Sequence, residues 1–255
     1  TTNFAVENNF VDYASNLIDE NIKKADIVFL CTPVLQIVPM VEKILPYLKP
    51  DAILTDVGST KGFIWSKLKQ ILPHDIDYVA GHPMTGSEQS GIKAANAELF
   101  RNKGYILIPQ TAKKEKSVKF VNELLKVTGA NITTMGIEEH DAVAAVISHV
   151  PHVVAAGLVN ILGSAETDVD NKLKLAGGGF KDTTRIASSN SDMWADICIS
   201  NADNIIIELE KLQTEITGVI TDIKNNDRDN IYNYFYKAKC RRDKLIDAAN
   251  RILQK

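Results

Sequence analysis

The strongest constraint on this chain is a change of periodicity part-way along it. Up to about residue 135, short apolar runs alternate with stretches of helical spacing. "DIVFLCTPV", "PDAILTDVGS", "YVAGHP" and "YILIP" are continuous apolar runs closed by turn residues, as expected of strands buried on both faces. Between them, Val34, Ile37, Val38, Val41, Ile44, Leu45 and Leu48 recur at helical spacing, as do the residues of "TKGFIWSKLKQIL" and "EKSVKFVNELLKVTG". Ser59 or Thr60 is expected near the cap of the former helix, and Gly129 ends the latter. Phe10, Tyr13, Ala14, Leu17 and Ile18 predict one more helix ahead of the first strand. Strand and helix in alternation imply a parallel α/β sheet.

After residue 136 no strand pattern remains. Residues 137–148 and 150–164 predict two helices, buried in the core because His149, Pro151 and His152 interrupt what would otherwise resemble a membrane span. Two long stripes follow, Ile205 to Ile223 and Ile231 to Ile252, too apolar to remain solvated without packing on each other or on a partner chain. The predicted fold is therefore a doubly wound, mostly parallel nucleotide-binding domain over residues 1–136, followed by an all-α domain over 137–255. No G-x-G-x-x-G turn occurs in the first 25 residues. The chain accordingly reads as starting after the first β-α-β unit of such a domain, roughly thirty-odd residues in.

The net charge of −3 excludes the basic excess of a general nucleic-acid binder. Three cysteines, odd in number and far apart, suggest neither a disulfide framework nor a cysteine-rich metal site, which points to a reducing cytoplasm. The opening residues carry no secretory signal.

Ligands of open α/β sheets bind beyond the carboxyl ends of the strands. Three such ends carry small or polar groups: "CTPV" with Thr32, "DVGSTKG" with Ser59, and "AGHPMTG" with His82. An imidazole there would face a cleft and take a proton near neutral pH, or it would hydrogen-bond its own loop. "SHVPH" sets His149 and His152 on one face if the helix continues through Pro151; cleft lining, a core role and an incomplete metal site are all compatible with that spacing. "GGGFKDTTRIASSNSDMW" places Asp182, Arg185 and Trp194 in a loop-like segment after a flexible glycine turn. Arg185 offers a fork suited to a carboxylate, or is an ordinary surface arginine, and Lys181 reads as solvated.

"DVGSTKG", "GHPMTGSEQSG", "SHVPH" and "GGGFKDTTRIA", in that order and with "MW" ending nine residues after Arg185, resemble the prephenate dehydrogenase family. The resemblance implies oxidative decarboxylation of prephenate to 4-hydroxyphenylpyruvate in tyrosine biosynthesis, with NAD as hydride acceptor and NADP left open. It implies that His82 takes or polarises the proton of the ring hydroxyl, that Ser59 bonds the same hydroxyl beside the nicotinamide, and that Thr32 and Pro33 touch the cofactor. It further implies a carboxylate clamp at Arg185, a pocket lining from His152 and Trp194, a loop-ordering or gating role for Glu88, and a homodimer through the helical domain. No metal, nucleic acid or membrane is implied. Two rivals fit the same features: arogenate dehydrogenase on the same scaffold, and a non-catalytic dimerising module. A β-hydroxyacid dehydrogenase fits less well, because Arg185 stands where that family has an asparagine one helical turn after its lysine.

Overall fold

The computed structural model describes residues 2–18, 20–86, 91–163 and 174–253. Five strands form one sheet in sequence order: β1 (Ile27–Leu30), β2 (Ile53–Asp56), β3 (Asp77–Pro83), β4 (Gly104–Ile108) and β5 (Asn131–Thr134). The pairs β1–β2, β2–β3 and β4–β5 are parallel, whereas β3–β4 is antiparallel. The sheet is thus mostly parallel but reverses direction once, and it has a fifth strand that sequence periodicity does not reveal.

Ten α-helices lie among the described residues. They are α1 (Thr2–Glu7), α2 (Val34–Ile44), α3 (Gly62–Ile71), α4 (Glu115–Lys126), α5 (Ile137–Ala144), α6 (Val150–Gly163), α7 (Gly178–Thr184), α8 (Ser191–Ser200), α9 (Ala202–Lys224) and α10 (Arg228–Leu253). The right-handed crossover rule puts α2 and α3 on one face, and the reversal at β4 sends α4 to the other. Alternation within β3 shows both faces at once. Tyr78 stacks on Trp65 of α3 with ring centroids 6.1 Å apart, while Val79 clusters with Val121 and Leu125 of α4. The sheet is therefore covered on both sides, which is why its strands read as continuous apolar runs.

The helix expected over Phe10 to Ile18 does not form. Asn9 turns the chain at φ 55°, and Phe10, Tyr13 and Leu17 are exposed. An amphipathic stripe gains little from helix formation without an apolar surface to cover it. The two helices expected over 137–148 and 150–164 are one continuous helix joined by a π-helical turn, Ala145–His149. Pro151 has no N–H to give and its ring crowds the preceding turn; the widened turn absorbs both effects. By length and composition this 27-residue helix could cross a membrane, with mean hydropathy 1.8, and only 22% of its apolar window is buried, less than sequence reading anticipates. The segment 178–188 is helical rather than loop-like, since Gly177 is the N-cap of α7 and Arg185–Ser188 is a 3-10 turn.

The change from mixed to purely helical structure falls between Thr134 and Ile137. Spatial contacts divide the chain elsewhere, into compact units Thr1–Ile205 and Ile206–Lys255, so the helices from α5 to α8 belong with the sheet. In the second unit Ile206, Ile207, Ile216, Ile220, Ile223, Tyr232, Phe235, Tyr236 and Leu245 are all exposed.

Candidate active site

The carboxyl ends of β1, β2 and β3 lie on one edge of the sheet because these three strands are parallel. At the middle end, Asp56 organises the turn. Its Oδ2 accepts from Gly58 N at 2.9 Å and from Lys61 Nζ at 2.5 Å; its Oδ1 accepts from Tyr78 Oη at 2.8 Å and Gly81 N at 3.1 Å. Lys61 is wholly buried, and its ammonium also donates to Gly81 O at 2.7 Å. Burial lowers the Lys61 pKa, with the Asp56 charge opposing that shift. Gly81 admits no side chain, because a Cβ there would lie 2.9 Å from Tyr105 Cε1. This buried pair ties the β2 turn to the strand that carries His82.

The N-terminus of α3 is capped from a distance. Neither Ser59 nor Thr60 caps it: the N-cap is Lys61, and Thr60 Oγ1 donates instead to Ser200 Oγ at 2.9 Å. The Asp141 carboxylate of α5 accepts from Lys61 N and Gly62 N, both at 2.8 Å, placing a negative charge where the helix dipole favours one. Gly62 permits this approach, since a Cβ there would sit 3.0 Å from Asp141 Oδ2.

His82 lies within β3, 8% exposed, and its Nδ1 is 2.9 Å from His140 Nε2. His140 Nδ1 is in turn 2.8 Å from Asp141 Oδ1. Burial holds the His82 pKa well below the usual imidazole value, and the charges of Lys61, His140 and His149 push it the same way. His82 is therefore neutral at neutral pH, as an acceptor of a proton must be. No hydrogen bond to its Nε2 forms among the described residues.

A second histidine group lines the neighbouring helices. His152 stacks on Trp194 with centroids 3.8 Å apart, and His149 meets the same indole edge-on at 6.0 Å, so the two histidines do share a face through Pro151. His149 Nδ1 bonds Asn201 Nδ2 at 3.1 Å, and burial pushes its pKa down to about 4. His149 Nε2 and Trp194 Nε1 are buried without a partner among the described residues. Thr32 Oγ1, just past β1, is likewise buried and has no partner among the described residues, while Pro33 is the N-cap of α2 and exposed. The Ser59 hydroxyl is half-buried and bonds to no described residue. Arg185 is exposed at the end of α7. Glu88 falls outside the described residues.

Sequence reading missed Asp56, Lys61, His140, Asp141 and Asn201. The available signal was "EEHDA", a buried-type helix start in which a histidine and an aspartate are adjacent.

A sheet covered on both faces, with polar groups gathered at the ends of its parallel strands and a buried imidazole among them, defines a nucleotide-binding-type α/β protein. Comparison narrows this. The family model for the prephenate dehydrogenase nucleotide-binding domain matches residues 1–134, and that for the prephenate dehydrogenase dimerization domain matches residues 137–237. The chain is 39% identical to the prephenate dehydrogenase of Bacillus subtilis over 92% of its own length and 64% of that relative's. It superposes at TM-score 0.87 and 32% identity on the prephenate dehydrogenase of A. aeolicus solved with hydroxyphenyl propionate and NAD+, covering 96% of this chain and 85% of that one. The arogenate dehydrogenase of Synechocystis matches at TM-score 0.79 and 29% identity, covering 96% and 87%. The chain belongs to the prephenate dehydrogenase family.

Proposed function

We propose that this chain carries the catalytic region of an NAD-dependent dehydrogenase that converts prephenate to 4-hydroxyphenylpyruvate by oxidative decarboxylation. The observation that carries the reading is His82: a buried, neutral imidazole at the end of a strand, with Nδ1 engaged and Nε2 left for a ligand. The Bacillus subtilis and A. aeolicus relatives are described as prephenate dehydrogenases, and the latter was solved with NAD+.

The strand ends suit a dinucleotide. Among the described residues Thr32 Oγ1 is buried without a partner and the Ser59 hydroxyl is unbonded, so both retain hydrogen-bonding capacity toward polar atoms of a cofactor. When bound, the nicotinamide supplies the hydride acceptor for the ring carbon that bears the hydroxyl. His82 Nε2 receives the hydrogen bond, and then the proton, of that hydroxyl, raising electron density at the carbon that loses hydride. Ser59 bonds the same oxygen and holds it in line. Arg185 clamps a substrate carboxylate, and His152 with Trp194 forms a flat wall beside it. Thr32 and Pro33 would contact the cofactor. Aromatisation on loss of carbon dioxide drives the step forward, so the protein need mainly hold donor, acceptor and base together.

We further propose a homodimer through the helical segment 137–255, in a reducing cytoplasm. Exposed apolar residues on α6, α9 and α10 support an association in which a second copy, rather than lipid, covers them. The match to a family model named for dimerization supports the same assembly.

The test is turnover of prephenate and of arogenate by the intact protein with NAD+, in wild type and His82→Asn. The reading expects prephenate turnover in the wild type and a fall in kcat on the order of 100-fold or more in the variant, the contribution of a positioned base. Turnover of arogenate alone would assign the other substrate, and undiminished turnover by His82→Asn would overturn the role of the imidazole.

A further inference from the structure

We propose that His140 and Asp141 form a positioning relay that holds His82 as its Nδ1–H tautomer and so leaves Nε2 as the nitrogen with the lone pair. This rests on the reading of His82 as the proton acceptor. The argument starts at Asp141. Oδ1 faces Lys61 N and Oδ2 faces Gly62 N, each at 2.8 Å, and a backbone N–H can only donate. Both oxygens are therefore acceptors. His140 Nδ1, 2.8 Å from Oδ1, must then be a donor. Taking His140 as neutral, like His82, its imidazole donates from Nδ1 and therefore accepts at Nε2. His82 Nδ1, 2.9 Å away, carries the hydrogen of that bond, and Nε2 does not.

The opposite arrangement is costly. A hydrogen moved to His140 Nε2 would set the lone pair of Nδ1 against the Asp141 carboxylate, with His140 1% and Asp141 5% exposed and no solvent to relieve the repulsion. The rings meet at 68° with centroids 5.1 Å apart. Left to itself, a neutral histidine in water favours hydrogen on Nε2, the form unable to accept there. The relay reverses that preference. It is also stiff at its far end, because the same carboxylate caps α3, and Asn201 Nδ2 donates to the Asp141 backbone oxygen at 2.8 Å. The turn carrying Ser59 and the base His82 are thus referenced to one carboxylate.

The experiment is a long-range proton–nitrogen correlation spectrum of the intact protein labelled at histidine, with His82→Asn used to assign the His82 signals, alongside kinetics of His140→Leu and His140→Gln. The relay expects His82 protonated at Nδ1 and bare at Nε2 in the wild type. It expects kcat to drop on the order of 100-fold in His140→Leu with KM changed by less than about threefold. A glutamine can accept from His82 and donate to Asp141, so His140→Gln should recover activity to within about tenfold of wild type. Hydrogen on Nε2 of His82 in the wild type would overturn the relay, as would equal activity in the leucine and glutamine variants. Should His140→Leu fail to fold, the wild-type tautomer decides alone. The tautomer is read without turnover, so an active His82→Asn enzyme would sink the base while leaving the relay's own readout standing.

Discussion

Replacing Lys61 by methionine tests the buried pair beneath the site in two independent ways. Lys61 and Asp56 have no exposed side-chain surface; their 2.5 Å contact joins the end of β2 to the turn after it, and both partners also bond Gly81 of β3. Removing one partner of such a pair costs about 3–5 kcal/mol, because the charge left behind is buried. Asp56 would retain Gly58 N, Tyr78 Oη and Gly81 N as donors, which places the cost at the lower end, about 3 kcal/mol. At about 2–4 °C per kcal/mol for a chain of this size, Tm should fall by roughly 6–12 °C. Thermal unfolding followed by circular dichroism at neutral pH measures this. The second readout is kinetic. The Lys61 charge helps depress the His82 pKa, so Lys61→Met should move the acid limb of the kcat/KM profile toward higher pH. An unchanged Tm together with an unmoved limb would refute the assignment of Lys61 as a charged structural partner that also tunes His82.

With His82 as the proposed base, its protonated form would be inactive; its pKa lies below the ordinary 6.5, so kcat/KM should stay level from pH 7.5 to about 6.5 and fall only in more acid solution. A limb centred at or above 6.5 would contradict the burial argument. Arg185→Ala should raise KM by roughly 10- to 100-fold, the worth of a charge-assisted hydrogen bond of about 1.5–3 kcal/mol, with a smaller effect on kcat; the reverse split in steady-state kinetics would move Arg185 from binding to chemistry. Ile216→Glu with Ile220→Glu puts two charges on the exposed face of α9 and should yield half the wild-type mass in sedimentation equilibrium, whereas an unchanged mass would place the interface elsewhere.

Much of the fold was legible because a strand buried on both faces leaves a continuous apolar run, and β1 to β4 each do so. β5 was not legible: Asn131, Thr133 and Thr134 are exposed, and the strand exists through its pairing with β4. The reversal at β4 was equally silent, since an apolar run reads the same in either direction along a sheet. The helix over Phe10 to Ile18 shows the converse failure, a good pattern with no surface to bury it. In the site, His82 was visible by its place after a strand. His140 and Asp141 were not, because their partners Lys61, Gly62 and His82 lie 58 to 80 residues away in sequence.

Local chemistry written into the chain therefore settled which four segments run as strands in the sheet core, that polar groups cluster where three of them finish, and that an imidazole stands among them. Only three-dimensional packing decided which nitrogen of that imidazole is free, since the answer depends on a carboxylate held by two backbone N–H groups of a helix start far away in the sequence. Hydrogen-bond direction is a property of donors and acceptors brought face to face, and no spacing along a chain encodes it.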